Sequence, residues 1–330
     1  MNPPTDTTAR VSIVIPCHRL DGWDTLVNAV RCAQAQQPRP DEIIVVVDHN
    51  PELYYRARRD IGGVTVLQNQ FQPGASGTRN TGAWHTGTEL VAFLDGDITA
   101  TAHWLAPLIA PFDDRTVIGT GGAITPAWAS TRPSWLPDEL LWAVGASYTG
   151  LPDTTAPVRN VWSASMVVRR EAFTAVGGFR DGFGKIGGRN RPEDTELCIR
   201  MSTAGGRWMY VPTSTVQHDI PTERATFGFL LRRCYAEGRG KVQMARLLQG
   251  TRTLETERSY VTRTLPRAVI RGLATAILGD ATADRPVRST NAARAGTVIA
   301  AVAAVAAGGA VETLGAGLRI RHRVPAGTTR

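Results

Sequence analysis

At 330 residues and 42% hydrophobic, the chain is long enough to bury a sizeable core as one large domain or two smaller ones. Cys17, Cys32, Cys198 and Cys234 are scattered without a Cys-x-x-Cys pair, which argues against a disulfide framework or a zinc cluster and fits reduced thiols in a cytoplasmic protein. The formal net charge of +8 hides a split: Arg224 to Arg330 holds 18 Lys and Arg against 6 Asp and Glu, whereas the preceding residues hold 19 against 23. A basic segment of this kind either faces an anionic surface or is a solvated, Arg-rich helical face. Met1 to Arg10 is polar with no apolar core, so no cleaved signal peptide is expected.

In chain order, Val11 to Ile15 is a β-branched run stopped by Pro16 and reads as a buried strand. Leu26, Val27, Val30 and Ala33 recur at helical spacing within 23–36, and Pro38 and Pro40 close that helix. Ile43 to Val47 is a second continuous strand ending at Asp48, Leu53 to Arg59 a second helix, and Val64 to Leu67 a third strand. This β-α-β-α order predicts a parallel sheet with ligands at the carboxyl ends of its strands. The stretch from Gln72 to Asn80 reads as a loop of Gly and small residues leading into a helix, where backbone amides and Arg79 could meet phosphate. Leu90 to Leu94 is a further apolar run that ends in Asp95-Gly96-Asp97. Two carboxylates at i and i+2 suit a hard divalent cation, although an isolated Asp-Gly-Asp is also an ordinary turn.

The order of these pieces is more specific than any one of them. A strand ending in Pro16, another ending in Asp48, Gly77-Thr78-Arg79-Asn80-Thr81-Gly82, and then Phe93-Leu94-Asp95-Gly96-Asp97 together resemble the family 2 glycosyltransferases. Downstream, Asn160 to Arg170, the turn Val176-Gly177-Gly178-Phe179, and Pro192-Glu193-Asp194 through Arg200 continue the likeness, which covers 10–220. The resemblance implies an α/β GT-A fold: a Rossmann-like, mostly parallel central sheet flanked by helices, over 1–223. The nucleotide-sugar half would occupy 10–100 and the acceptor half 101–223. It implies a nucleotide-sugar donor, with a UDP-sugar the first choice, and a divalent metal, Mn²⁺ or Mg²⁺. Pro16, Asp48, Arg79 and Asp95 would line the nucleotide, with Asp48 at the base and Asp95 near ribose or metal. Asp97 would be the principal metal ligand. Asp194 would be the base that takes the acceptor proton in an inverting displacement, and Glu193 would position acceptor or sugar. On residues alone, the same acids are good first-turn residues of a helix. His218, after the strand-like Trp208 to Val211, would be a third ligand by the same likeness, or else a polar loop residue. Thr78 in place of a smaller residue, and His49-Asn50 after Asp48, depart from the family pattern at the nucleotide.

Two loops invite a role in the site. Trp128, Trp135 and Trp142 fall among prolines and would either stack on sugar rings or pack onto their own domain. Asp181 to Arg189 is glycine-rich and reads as a mobile loop before Asp194. Beyond Glu223, Phe227, Leu230, Leu231, Cys234 and Tyr235, and then Val269, Ile270, Leu273 and Ile277, mark basic amphipathic helices in a C-terminal helical extension over 224–330. The charge-free run Ala295 to Val311 falls short of the roughly 20 residues of a bilayer span and reads as a docked or interfacial helix. The leading expectation is a transferase at the cytoplasmic face of the membrane, with a lipid-linked or other membrane-proximal acceptor; nucleic acid is not an expected partner. An inactive sugar-nucleotide-binding scaffold, a soluble transferase for a small aglycone and a nucleotidyltransferase are the alternatives. Pro16-Cys17-His18-Arg19 lacks the Gly-rich signature of the last, and no Gln-x-x-Arg-Trp follows Asp194, which argues against processive polymer synthesis.

Overall fold

The computed structural model describes residues 9–186, 189–247, 260–278 and 285–321. The chain divides into two units: 1–127 with 151–219, and 128–150 with 220–330. This differs from a single cut after 223, because 128–150, read from sequence as part of the acceptor half, groups with the C-terminal helices.

The first unit begins with β1 (Val11–Cys17), α1 (Trp23–Gln34), β2 (Glu42–Val47), α2 (Pro51–Asp60), β3 (Thr65–Gln68), α3 (Ala75–His85) and β4 (Leu90–Leu94). The predicted strands form because their side chains are apolar on both faces: Ile13, Val14, Ile15, Ile44, Val45, Phe93 and Leu94 are all fully buried. These four strands are mutually parallel where they pair, with Ser12 opposite both Glu42 and Val91. The second helix is capped by Asn50, whose Oδ1 accepts from the Leu53 N–H at 3.1 Å, with Pro51 at the first helical position. The stretch from Gln72 to Asn80 is less of a loop than its composition suggests. Helix α3 starts at Ala75, and Ser76 to Ala83 are buried, since small residues let the helix lie close to the sheet.

After β4 come β5 (Ile98–Ala100), α4 (Leu105–Ile109), β6 (Val117–Trp128), β7 (Ala156–Val158), β8 (Ser165–Arg169), α5 (Arg170–Ala175), β9 (Gly184–Ile186), β10 (Arg189–Arg191), α6 (Glu193–Ala204) and β11 (Arg207–Ile220). The main sheet runs β3-β2-β1-β4-β8-β6-β11-β5, with β7 also on β11. Strand β8 is antiparallel to both β4 and β6, so β4 is the seam between the parallel strands and the antiparallel part of the sheet. Two apolar clusters pack on this unit, one containing Ile13, Leu26 and Trp104 and the other Val14, Phe93, Phe173 and Trp208. Within the glycine-rich segment 181–189, expected as a mobile loop, Gly184 to Ile186 pair as β9 with β10, while Gly187 and Gly188 lie outside the described residues.

The second unit has its own core, in which Leu136, Leu140, Leu141 and Val144 meet Leu230, Cys234, Leu265 and Val298. Its helices are α7 (Phe227–Leu247), α8 (Leu265–Leu278) and α9 (Arg285–Arg321). The aromatic residues of 128–150 go into this packing: Trp135 meets Phe227 edge-on at 5.4 Å, and Tyr148 meets Tyr260 at 5.2 Å. Helix α9 extends well past the charge-free run, and Ser289–Gly315 is long and apolar enough to cross a membrane by length and composition.

Candidate active site

Strand β4 ends at Leu94, and the chain turns through Asp95, Gly96 and Asp97 into β5. The turn is held by the Asp95 N–H on Ala164 O (3.3 Å) and the Ile98 N–H on Asp95 O (3.2 Å). Gly96 lies against the Pro16 carbonyl: a Cβ there would stand 3.2 Å from that oxygen. Facing this turn, Arg79 projects from α3 with its side chain only 4% exposed. It donates to Asp95 Oδ1 at 2.6 Å and, more weakly, to Glu193 Oε1 at 3.4 Å, and its guanidinium sits 5.6 Å from the centre of the Phe179 ring. Burial alone would lower its pKa, but the charges of Asp95, Glu193 and Asp194 outweigh burial and raise it, so Arg79 stays a cation. Its Nε is buried without a hydrogen-bond partner.

Glu193 and Asp194 open α6, and Asp194 Oδ1 accepts from the Thr195 N–H at 2.7 Å. The turn before this helix is fixed by groups that sequence reading did not single out. Arg200 donates to Val176 O (2.6 Å) and Gly178 O (2.7 Å) while paired with the fully buried Glu196, which also accepts from Arg180 at 2.7 Å. Asn80 clasps Phe179 in both directions, giving to its carbonyl at 2.7 Å and accepting from its N–H at 2.9 Å. Gly178 has φ +65, and a Cβ there would stand 2.4 Å from the Trp84 ring and 2.6 Å from Asn80 Oδ1, so any other residue would be strained and would displace them. The i, i+4 spacing of Glu196 and Arg200 was the available signal for this brace.

His218 sits within β11, opposite Ile98 of β5, and not on a loop after the strand. Its Nε2 lies 3.5 Å from Asp97 Oδ2, and the Asp219 N–H reaches Asp97 O at 3.4 Å. Adjacent ligands at roughly 2.1 Å from an octahedral ion are about 3 Å apart, so these two atoms could share one cation with little adjustment. Among the described residues no group of three or more His, Cys, Asp or Glu side chains converges as a metal shell, so other ligands would come from substrate or water. Asp48 lies at the end of β2, where its Oδ2 accepts from the Gly74 N–H (2.8 Å) and its Oδ1 from Asn69 Nδ2 (2.7 Å), tying the entry to α3. Cys17 beside it is half-buried, and loss of solvent with the nearby Asp48 charge pushes its thiol up to about 12. The geometry thus joins Arg79, Asp95, Glu193 and Asp194 in one charged group and pairs Asp97 with His218, while Asp48 is committed to the loop before α3.

A strand-end acidic turn, a buried arginine and a facing acidic helix start, on this sheet order, define a GT-A glycosyltransferase. The description Glycosyl transferase family 2 matches residues 12–177, half of the chain, and the protein belongs to that family. It is similar to a glucosyl-dolichyl phosphate glucuronosyltransferase of Haloferax volcanii, at 28% identity over 70% of this chain and 76% of that one. It is also 30% identical to a pre-mycofactocin glycosyltransferase of Mycobacterium tuberculosis over 67% of this chain, which spans only 45% of that relative. Two solved structures share the fold. A mannosyltransferase from Pyrobaculum calidifontis in complex with GDP-Man and Mn²⁺ has a TM-score of 0.56 and 16% identity, over 90% of this chain and 87% of that one. GalNAc-T7 with UDP, GalNAc and Mn²⁺ has a TM-score of 0.53 and 17% identity, over 97% of this chain and 59% of that one.

Proposed function

We propose that this glycosyltransferase is metal-dependent and inverting, and that it moves a sugar from a nucleotide-sugar, a UDP-sugar first among candidates, to the hydroxyl of a lipid-linked acceptor. The observation that carries the reading is the buried Arg79 between Asp95 and Glu193, because it links the donor-side turn to the acids of α6. Asp97 and His218 would hold Mn²⁺ or Mg²⁺ beside Asp95; when bound, the ion neutralises charge on the leaving diphosphate. Asp194 takes the proton of the acceptor hydroxyl as that oxygen attacks the anomeric carbon and the bond to the diphosphate breaks on the opposite face. Glu193, held by Arg79, orients the acceptor or the sugar. Pro16 and Gly96 shape the floor of the donor pocket through backbone, and Asp48 reaches the base while anchoring the loop before α3. The Mn²⁺ in both solved neighbours supports the metal, and the dolichyl phosphate in the archaeal relative's name supports the lipid-linked acceptor. With such an acceptor the protein would work as a peripheral enzyme at the cytoplasmic face of the membrane.

The test is a thermal-shift screen of UDP-, GDP- and dTDP-sugars with and without Mn²⁺. One nucleotide class should raise the melting temperature, and only with metal. Equal shifts in EDTA would remove the metal from donor binding. The absence of any shift would favour a scaffold that has lost its donor.

A further inference from the structure

Nine of the eleven large hydrophobic side chains that stand exposed among the described residues belong to the second unit, and four of them, Ile299, Val302, Val311 and Leu314, are on α9. From Ala292 to Val311 every exposed position of this helix is Gly, Ala, Val or Ile, a bare strip about 30 Å long at 1.5 Å per residue. Only 17% of its most apolar window is buried within the chain. The other side of α9 is covered by α7 at backbone contact. A Cβ on Gly238 would fall 1.9 Å from the Val305 carbonyl, and one on Gly308 would fall 2.0 Å from that of Tyr235. Helix α7 is charged: Glu237 pairs with Arg233 at 3.3 Å and Lys241 at 3.8 Å, and Arg239 reaches across to Glu312 at 2.9 Å.

Three occupants could cover the bare strip, and charge separates them. If α9 crossed a bilayer, α7 would be carried with it, because their backbones touch. Glu237, Arg239 and Lys241 would then enter hydrocarbon, where ionised groups are costly. If a second copy covered the strip, two segments each with 18 Lys and Arg against 6 acids would be brought face to face. An anionic lipid leaflet meets both conditions. It takes the apolar strip at its acyl boundary, leaves α7 in water, and attracts the arginines that the sequence puts at both ends of the helix, Arg285 and Arg288 before and Arg319 and Arg321 after. The helix alone is apolar nearly all round; with α7 at its back the pair is amphipathic as a unit.

We propose that α9 lies in the plane of an anionic lipid surface with its 292–311 strip embedded and α7 on the water side, an anchor that does not span. This deepens the peripheral-membrane reading above and rests on it for its purpose. The full chain is floated with phosphatidylcholine vesicles, with and without phosphatidylglycerol. The wild type should float with the anionic vesicles, and Ile299→Asp with Val302→Asp should cut the bound fraction at least tenfold while leaving helix content and donor binding unchanged. Fluorophores placed through Ala293→Cys, Ala303→Cys and Ala310→Cys, with the wild type labelled as a blank, should all be quenched best by shallow nitroxide lipids. Deep quenching at 303 with shallow quenching at 293 and 310 would mean a span and overturn the proposal. So would flotation that the double variant does not reduce, a wild type that ignores anionic vesicles, or a solution dimer that the variant dissociates. Donor binding is measured without lipid, so a chain that binds donor but not vesicles loses only the anchor. One that floats but binds no donor loses only the transferase reading.

Discussion

Arg79 faces three carboxylates, and its charge sets what each of them can do. Asp95 and Glu193 are both paired to it, so either would give up a charge-assisted hydrogen bond on taking a proton; Asp194 lies in the same field with its Oδ1 on the Thr195 N–H, and it is the base proposed above. Asp194→Asn should therefore leave donor affinity near wild type and lower turnover by about 10²- to 10⁴-fold. Steady-state rates alongside donor calorimetry would show it, and a normal rate would remove Asp194 from the mechanism. Asp97 stands differently: its Oδ2 faces the imidazole of His218 and its side chain is 45% exposed. A neutral amide is a poorer ligand for a hard cation, so Asp97→Asn should abolish the metal-dependent part of donor binding with the fold intact. Calorimetry with Mn²⁺ and with EDTA is the measurement; unchanged affinity with Mn²⁺ would displace Asp97 as ligand.

Elements buried on both faces were the most legible in the sequence. Strands β1, β2 and β4 carry apolar side chains in succession; β2 and β4 stop just before Asp48 and Asp95, whereas β1 runs through Pro16, expected to stop it, to Cys17, which still pairs with Val47. Helix α3 was harder, since Gly74 to Asn80 has the composition of a loop, yet the chain is helical from Ala75 and buried there; Ser76 Oγ, for example, donates to Phe183 O at 3.1 Å. The sequence places His218 after the strand Trp208 to Val211, as a third metal ligand or a polar loop residue, and pairing with β5 shows instead that it lies within a 14-residue strand. Charge pairs between helices were out of reach for the same reason. Glu312 on α9 is such a case: burial raises its pKa, but hydrogen bonds from Arg239 and Gln243 and the charges of Arg239 and Arg246 win and lower it. A carboxylate with a lowered folded pKa contributes stability above the ordinary glutamate value of about 4.3, and that contribution is lost as pH falls through the lowered value. Arg239 is half exposed, so the contribution should be below about 1 kcal/mol. Thermal melts of wild type and Glu312→Gln should thus differ slightly at neutral pH and converge in acid. A gap that widens in acid would contradict the pairing.

For the whole molecule, the grouping of 128–150 with 220–330 matters more than the compositional step at Arg224. A chain cut after Asp219 would keep every strand of the main sheet, yet Leu136, Leu140, Leu141 and Val144 would lose Leu230, Cys234, Leu265 and Val298. Each large buried aliphatic side chain is worth about 1.5–3 kcal/mol of burial, and a patch of four laid bare favours association. The truncated chain should aggregate on purification, and removing 129–149 as well, with a short linker, should restore a soluble monomer by light scattering. If the simple truncation is already monomeric, the second core does not depend on both segments. Strand β4, the seam of the sheet, also bears on how the chain acquires its activity during synthesis. Strands β1 to β3 find each other within some sixty residues, but β4 needs Val11 to Val14 on one side and Ser165 to Arg169 on the other. Pairings this distant in sequence form late. On the ribosome the Asp95-Gly96-Asp97 turn would wait for more than 120 further residues before its last neighbours, His218 and Asp219, emerged. A nascent chain can then hold a folded nucleotide half long before it has a working site.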